Sequence, residues 1–360
     1  MSSLEEVITE RIRESGPLTL AEYMDLALAH PEYGYYMKGD PFGAGGDFIT
    51  APEISQMFGE LLSLWSAVVW QSMGSPERIN LVELGPGRGT LMSDVLRAAP
   101  SMPGFANALN VHMIETSPAL KKRQQDALQG APGAPQWHST IEDVPDGPLI
   151  VLANEFFDAL PIDQYFRAGQ YWCPRVIDLK PEGDGFCFVL LPPYDAQDLP
   201  PGLEDVADGS MVEVCPTGLD VAASLAGRIK DFGGAALVID YGHGESGPGE
   251  TLQAVHKHSY HDPLKDPGMA DLTAHVDFGA LSQRVFASGV RAHGPVSQGA
   301  FLEALGIRER AATLSQNATQ EQVEEILSAL QRLTADDQMG QLFKVLAMTP
   351  LGAPVPPGFE

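Results

Sequence analysis

The chain predicts an α/β fold built on a doubly wound sheet, and three observations carry that prediction. An apolar run, Ile79, Leu81, Val82 and Leu84, leads into glycines at alternate positions, Gly85, Gly87 and Gly89, and then into a helix-like stretch from Thr90 to Ala99. Further apolar strands recur at Asn110 to Glu115, Leu149 to Leu152 and Gly234 to Asp240, each running into polar groups. Helical stretches alternate with these strands, as parallel strands joined by crossovers require.

Taken in order, Leu4 to Arg13 reads as a helix capped by Ser2 or Ser3 and stopped near Gly16-Pro17. Thr19 caps a second helix that ends before Pro31, because a residue preceding proline is pushed out of the helical region. Pro31 to Glu60 interleaves Tyr33, Tyr35 and Tyr36 with Gly34, Gly39, Gly43, Gly45 and Gly46. Such a stretch is either a turn-rich connector or a lid over a ligand; the lid is the expectation, with Tyr33, Tyr35, Asp47, Phe48 and Thr50 as its candidate contacts. Pro52 to Ser72 reads as one long amphipathic helix. After the glycine turn and its helix come a small-residue loop to Leu109, the strand Asn110 to Glu115 and a helix capped by Ser117 and Pro118. A third strand is expected at Pro135 to His138 and a fourth, buried one at Leu149 to Leu152.

From Asp163 to Pro216 the pattern changes to alternation, with hairpin signals at Ala168-Gly169 and Gly183-Asp184-Gly185, which reads as an antiparallel β insertion. A helix from Pro216 to Asp231 and another strand follow. Thr251 to His275 holds a strand and a proline loop, and Asp277 caps a helix to Ala287. Three helical stretches and a strand from Leu342 to Met348 complete the chain. The expected organisation is N-terminal helices and lid over 1–75, a ligand-binding core of 76–162, 211–255 and 340–350, the β insertion over 163–210, and a helical accessory region over 256–339.

Composition narrows the function. Net charge is −26, from 22 basic and 48 acidic residues, which argues against binding phosphate backbones and favours approach of a cationic partner. Cys173, Cys187 and Cys215 are scattered, pointing to a reducing compartment rather than a disulfide framework. No apolar run reaches the ~18 residues of a membrane span, and the acidic start is a poor targeting segment, so the expectation is a cytoplasmic protein. His256, His258 and His261 form H-x-H-x-x-H, but no acidic or cysteine ligand stands at zinc spacing; no metal is expected.

The glycine turn separates two cofactors. A dinucleotide turn follows G-x-G-x-x-G; here the third glycine of that pattern is replaced by Thr90, and Glu83 stands two residues before Gly85. A carboxylate facing a pyrophosphate is unfavourable. S-adenosylmethionine carries no phosphate, and its methionine end bears an ammonium and a sulfonium, which an acid suits. Glu115, at the end of the next strand, is placed for the ribose hydroxyls of an adenosine, with a helix-capping acid as the plainer reading. Thirty residues separate Gly85 from Glu115, more than the ~20 of a minimal unit. Ile141, Glu142 and Asp143 are weaker candidates for adenine contacts. Ligands of open α/β sheets lie beyond the carboxyl ends of the strands, which brings Asn154, Glu155, Asp158 and Asp240 forward as catalytic candidates.

Six blocks in one order resemble the MidA-type S-adenosylmethionine-dependent methyltransferases: Tyr33 to Glu60, Val82 to Arg97, Ile114 to Gln124, Ala153 to Gln164, Val238 to His243 and Asp271 to Phe278. The resemblance covers nearly the whole chain. It implies a class I methyltransferase fold (a Rossmann-like doubly wound sheet), S-adenosylmethionine as cofactor, and methylation of a protein arginine, as in the mitochondrial relative that modifies a subunit of respiratory complex I. The cofactor residues are then Glu83, Gly85, Gly87, Gly89, Glu115, Thr116, Asp143 and Asn154. Glu155, Asp158 and Asp240 would clamp a guanidinium, which stays protonated in water and needs carboxylates to hold it and steer its proton. Two other functions are kept beside this one: methylation of a small molecule, and a non-catalytic assembly chaperone that binds the cofactor.

Overall fold

The computed structural model describes residues 3–38, 50–182, 185–195, 199, 203 and 205–360. The chain divides into two compact units, one of residues 1–48, 157–221 and 243–281, the other of 49–156, 222–242 and 282–360.

The second unit holds the large sheet. Its strands are β1 (Ile79–Leu84), β2 (Leu109–Ile114), β3 (Gln136–His138), β4 (Leu149–Asn154), β5 (Gly234–His243), β6 (Val290–Ser297) and β7 (Phe343–Pro350). They lie in the order β6-β7-β5-β4-β1-β2-β3. β5, β4, β1, β2 and β3 pair in parallel. β7 is antiparallel to both β5 and β6, so β6 runs with the parallel set and β7 alone runs against it. The strand order reverses at β1, whose two neighbours are β2 and β4. This is the topological switch point at which open α/β sheets bind ligands.

The central strands are buried on both faces, which is why they read as continuous apolar runs rather than alternating ones. Leu81, Val82, Ile150, Val151, Leu237 and Val238 are at most 1% exposed, and burying each such side chain is worth about 1.5–3 kcal/mol. Helices α1 (Ala51–Ile54), α2 (Gln56–Ser72), α3 (Thr90–Ala98) and α4 (Pro118–Ala127) belong to this unit. Met57, Phe58 and Trp65 of α2 share one core with Leu91 and Met92 of α3 and with the sheet residues Val111 and Ile150. The expected single helix from Pro52 is two, because Ser55 takes an extended conformation (φ −162°, ψ 139°) and caps α2 through the Met57 N–H.

One strand had no sequence signal. Val290–Ser297 contains Gly294-Pro295, which reads as a loop because proline cannot donate to a ladder. The register against β7 shifts between His293 and Val296, so the two residues sit in an irregularity of the pairing.

Glu60 of α2 ties three helices together. It is buried, and its carboxylate accepts from Arg97 of α3 at 2.9 Å and from Arg310 of the helix Ile307–Ser315 at 2.6 and 3.0 Å. Burial alone would raise its pKa; the hydrogen bonds and charges of the two arginines outweigh it, and the carboxyl sits below its ordinary value. A depressed native pKa contributes stability above the unfolded-state value near 4.3, lost as pH falls through the native one. Glu60→Gln is therefore expected to destabilise the protein by about 1–3 kcal/mol at pH 7. The difference from wild type should begin to shrink below the unfolded-state value near 4.3 and go on shrinking as pH falls through the lower native value. Urea melts of both proteins in steps from pH 7 down to about pH 2 check this; a difference independent of pH would overturn it.

The first unit has its own core. Helices Leu4–Ser15 and Leu20–Ala29 bury Ile8, Tyr23 and Met24 with Ile177 and Phe186 of an antiparallel sheet. That sheet contains the hairpin Asp163–Ala168 and Tyr171–Leu179, turned at Gly169 (φ +62°), with Phe186–Leu190 and Met211–Val214 beside it. The alternating stretch from Asp163 is thus antiparallel β structure. A second hairpin, Gln253–His256 with Ser259–His261, turns at Lys257 and His258, both in the left-handed region (φ +50° and +61°). This is the two-residue turn that matches strand twist, formed here without glycine or asparagine and so missed in the sequence.

Candidate functional site

β1 ends at Leu84, and Gly85, Gly87 and Gly89 all adopt positive φ (+59°, +53° and +84°). The alternate glycines are required by that backbone, since an L side chain in the left-handed region is strained. Gly85 donates its N–H to Ile114 O at 3.1 Å, fastening the turn to the end of β2, and Gly89 caps α3. A Cβ on Gly85 would lie 2.9 Å from Phe156 Cδ2, so the ring after β4 packs directly against the turn.

Glu83 lies beneath this turn, 3% exposed. Burial holds its carboxyl well above the usual carboxylate range, against the Met92 N–H, which stabilises the charge; Glu115 pushes the same way as burial. Among the described residues its Oε2 has no hydrogen-bond partner, and neither does Oδ1 of Asn154. Two buried acceptors without protein donors, next to a backbone that admits no side chain, fit a ligand that brings its own donors and positive charge.

Glu115 directly follows β2. Its Oε1 accepts from Ser117 N at 2.8 Å and its Oε2 from Gln124 Nε2 at 3.0 Å. Burial raises its pKa, and the bonds from Ser117, Gln124 and Thr116 pull back. A carboxylate offers about four acceptor sites, so these contacts orient it without filling it. Thr116 is exposed beside it. Asp143 turns its carboxylate onto its own short helix, capping Thr140 N at 3.3 Å.

At the end of β4 the chain enters a conformation few non-glycine residues adopt: Glu155 has φ +50°. Several bonds hold it there. Glu155 N donates to Ile239 O at 2.9 Å, and Phe156 N to Asp240 Oδ2 at 3.2 Å. Glu155 Oε1 accepts from Ala51 N and from Asn154 Nδ2, both at 3.2 Å. Asp240 is fully buried, and its other oxygen accepts from Tyr241 N at 3.0 Å. Thr50 is the residue before α1, so the end of the expected lid meets Glu155 through the next backbone N–H. Arg88 of the glycine turn pairs with Glu53 of α1 at 3.5 Å. The structure thus brings Glu83, the three glycines, Glu115, Asn154, Glu155, Asp240 and Thr50 into one unit, around the switch point.

Asp158, Tyr33 and Tyr35 belong to the other unit. There Tyr33 stacks on His30, and Tyr35 meets Tyr36 edge-on. Tyr36 donates to Asp271 Oδ1 at 2.9 Å, and burial, with the charges of Asp271 and Asp158, holds its hydroxyl protonated. Asp47 and Phe48 lie outside the described residues. Sequence reasoning did not single out Gln124, Phe156 or Asp271, although each lies within one of the six blocks, Ile114 to Gln124, Ala153 to Gln164 and Asp271 to Phe278.

The model of a family of S-adenosyl-L-methionine-dependent methyltransferases matches residues 61–296. The chain belongs to that family. Among relatives of this methyltransferase, the mitochondrial protein arginine methyltransferase NDUFAF7 of Danio rerio is 37% identical over 95% of the chain and 85% of its own length. Its Drosophila melanogaster homolog is 40% identical over 97% and 85%. A crystal structure from Burkholderia thailandensis bound to S-adenosyl-homocysteine is 26% identical, with a TM-score of 0.84 over 99% of this chain and 93% of that one. The cofactor of this methyltransferase is S-adenosylmethionine, and the class I fold expected from the sequence is the fold it has. The cytoplasmic expectation is corrected: the relatives are named mitochondrial, and scattered thiols do not tell one reducing compartment from another. Among the described residues no helix is long and apolar enough to cross a membrane.

Proposed function

We propose that this methyltransferase methylates an arginine side chain of a protein, and that the acceptor is a subunit of respiratory complex I. Relatives named arginine methyltransferases, alike over nearly the whole chain, are the observation that carries the reading. The acidic chain suits a cationic acceptor. S-adenosylmethionine, when bound, supplies a methyl group activated by a sulfonium. The protein's part is to place the acceptor and manage its proton. Glu83 and Asn154 would hold the ammonium end of the cofactor, the glycine turn would admit it, and Glu115 would take the ribose. Glu155 holds the planar guanidinium and accepts its proton. Asp240 braces the backbone that presents Glu155, through the Phe156 N–H.

The test is transfer of tritiated methyl into a lysate of cells lacking the protein, with wild type or Glu155→Gln added, followed by mass spectrometry of the labelled product. A methylated arginine on a complex I subunit, made only by wild type, is the expected result. Label confined to small molecules would overturn the protein acceptor. Label on another protein would overturn the complex I assignment alone.

A further inference from the structure

Gln124 lies on α4, fully buried, and uses every polar atom of its side chain. Its Nε2 donates to Gly87 O at 2.8 Å and to Glu115 Oε2 at 3.0 Å, and its Oε1 accepts from Trp137 Nε1 at 2.8 Å. An indole N–H can only donate, and a carbonyl and a carboxylate only accept, so the amide has one possible orientation. Its carbons also lie 3.4–3.6 Å from where a Cβ on Gly89 would stand. One side chain therefore bonds the second glycine and the acid after β2, and borders the space beside the third glycine.

We infer that Gln124 is a positioning residue for the cofactor's adenosine, fixing Glu115 relative to the glycine turn. The inference rests on the reading that Glu115 takes the ribose. Glu115 is held at both oxygens, Oε1 by Ser117 N and Oε2 by Gln124. Ser117 N is backbone of the same segment, so it sets the carboxylate's rotation but not its distance from the turn. Gln124 joins Glu115 to Gly87 directly, through one amide nitrogen. Without its amide, Gly87 O, Glu115 Oε2 and Trp137 Nε1 lose partners in a buried place, and polar groups so left reorient towards water. The carboxylate then no longer presents its remaining acceptor sites to a ribose diol.

Calorimetric binding of S-adenosylhomocysteine and of its 2′-deoxy analogue tests this without turnover. A site built to bond a hydroxyl rejects the analogue lacking it, so wild type should bind the deoxy compound roughly 10- to 100-fold more weakly. Gln124→Met keeps length and removes the polar atoms; its preference should fall below about threefold. A purely structural loss weakens both ligands by the same factor and leaves the preference intact. Trp137→Phe, which removes one bond only, should lie between, and stands in if Gln124→Met fails to fold. Glu115→Gln separates the two layers. If it abolishes the preference while a folded Gln124→Met, or Trp137→Phe in its place, retains the wild-type preference, the role of Gln124 is overturned and the ribose reading stands. No preference in wild type overturns both.

Discussion

Glu155→Gln should lower the rate of methyl transfer by about 10²–10⁴-fold while affinity for S-adenosylhomocysteine stays within about threefold. The substitution keeps a side-chain oxygen where Ala51 N and Asn154 Nδ2 donate, so the local bonds survive. It removes the negative charge and the ability to take a proton. Few non-glycine residues occupy φ near +50°, and the conformation costs on the order of 1–2 kcal/mol. Here the bonds from Glu155 N to Ile239 O and from Phe156 N to Asp240 keep the backbone in place. Strain maintained by several independent contacts is the kind a functional residue sustains. Initial rates with tritiated donor, with calorimetry and a thermal melt of the same protein, check the prediction. Turnover within threefold of wild type would remove Glu155 from the reaction.

What was legible in the sequence was local. The glycine turn could be read because the left-handed backbone at Gly85, Gly87 and Gly89 leaves a mark in the residues themselves, and the acids because Glu83 lies at the turn-ward end of β1 and Glu115 and Glu155 directly follow β2 and β4. Helix starts at Ser3, Thr19 and Thr319 carry capping boxes, a signal of four residues. What could not be read was settled by distant partners. Val290–Ser297 is a strand because β7 accepts its irregular register, not because its own pattern asks for one. Gln124 looks like one more polar residue of the helix Pro118–Ala127; only folding sets it among Gly87, Glu115 and Trp137. Asp240 read as an acid at a strand end, and the structure shows its oxygens accepting from the backbone of Phe156 and Tyr241.

Gly87→Val should abolish measurable binding of S-adenosylhomocysteine, a loss of at least about a hundredfold. Two effects act together. Valine at φ +53° is strained by about 1–2 kcal/mol or more, because its branched Cβ meets the following carbonyl. The side chain also fills space that the cofactor is proposed to use. Gly87→Ala separates the two, since alanine bears most of the backbone strain with little of the volume. If strain dominates, both variants lose stability and affinity alike. If volume dominates, alanine weakens binding by about tenfold or less and valine eliminates it. Gly85→Ala is the internal comparison: its Cβ meets the edge of the Phe156 ring at 2.9 Å, a side chain that can move, so binding should fall less than in Gly87→Val. Unchanged affinity in a folded Gly87→Val protein would mean that the turn between β1 and α3 does not carry the cofactor.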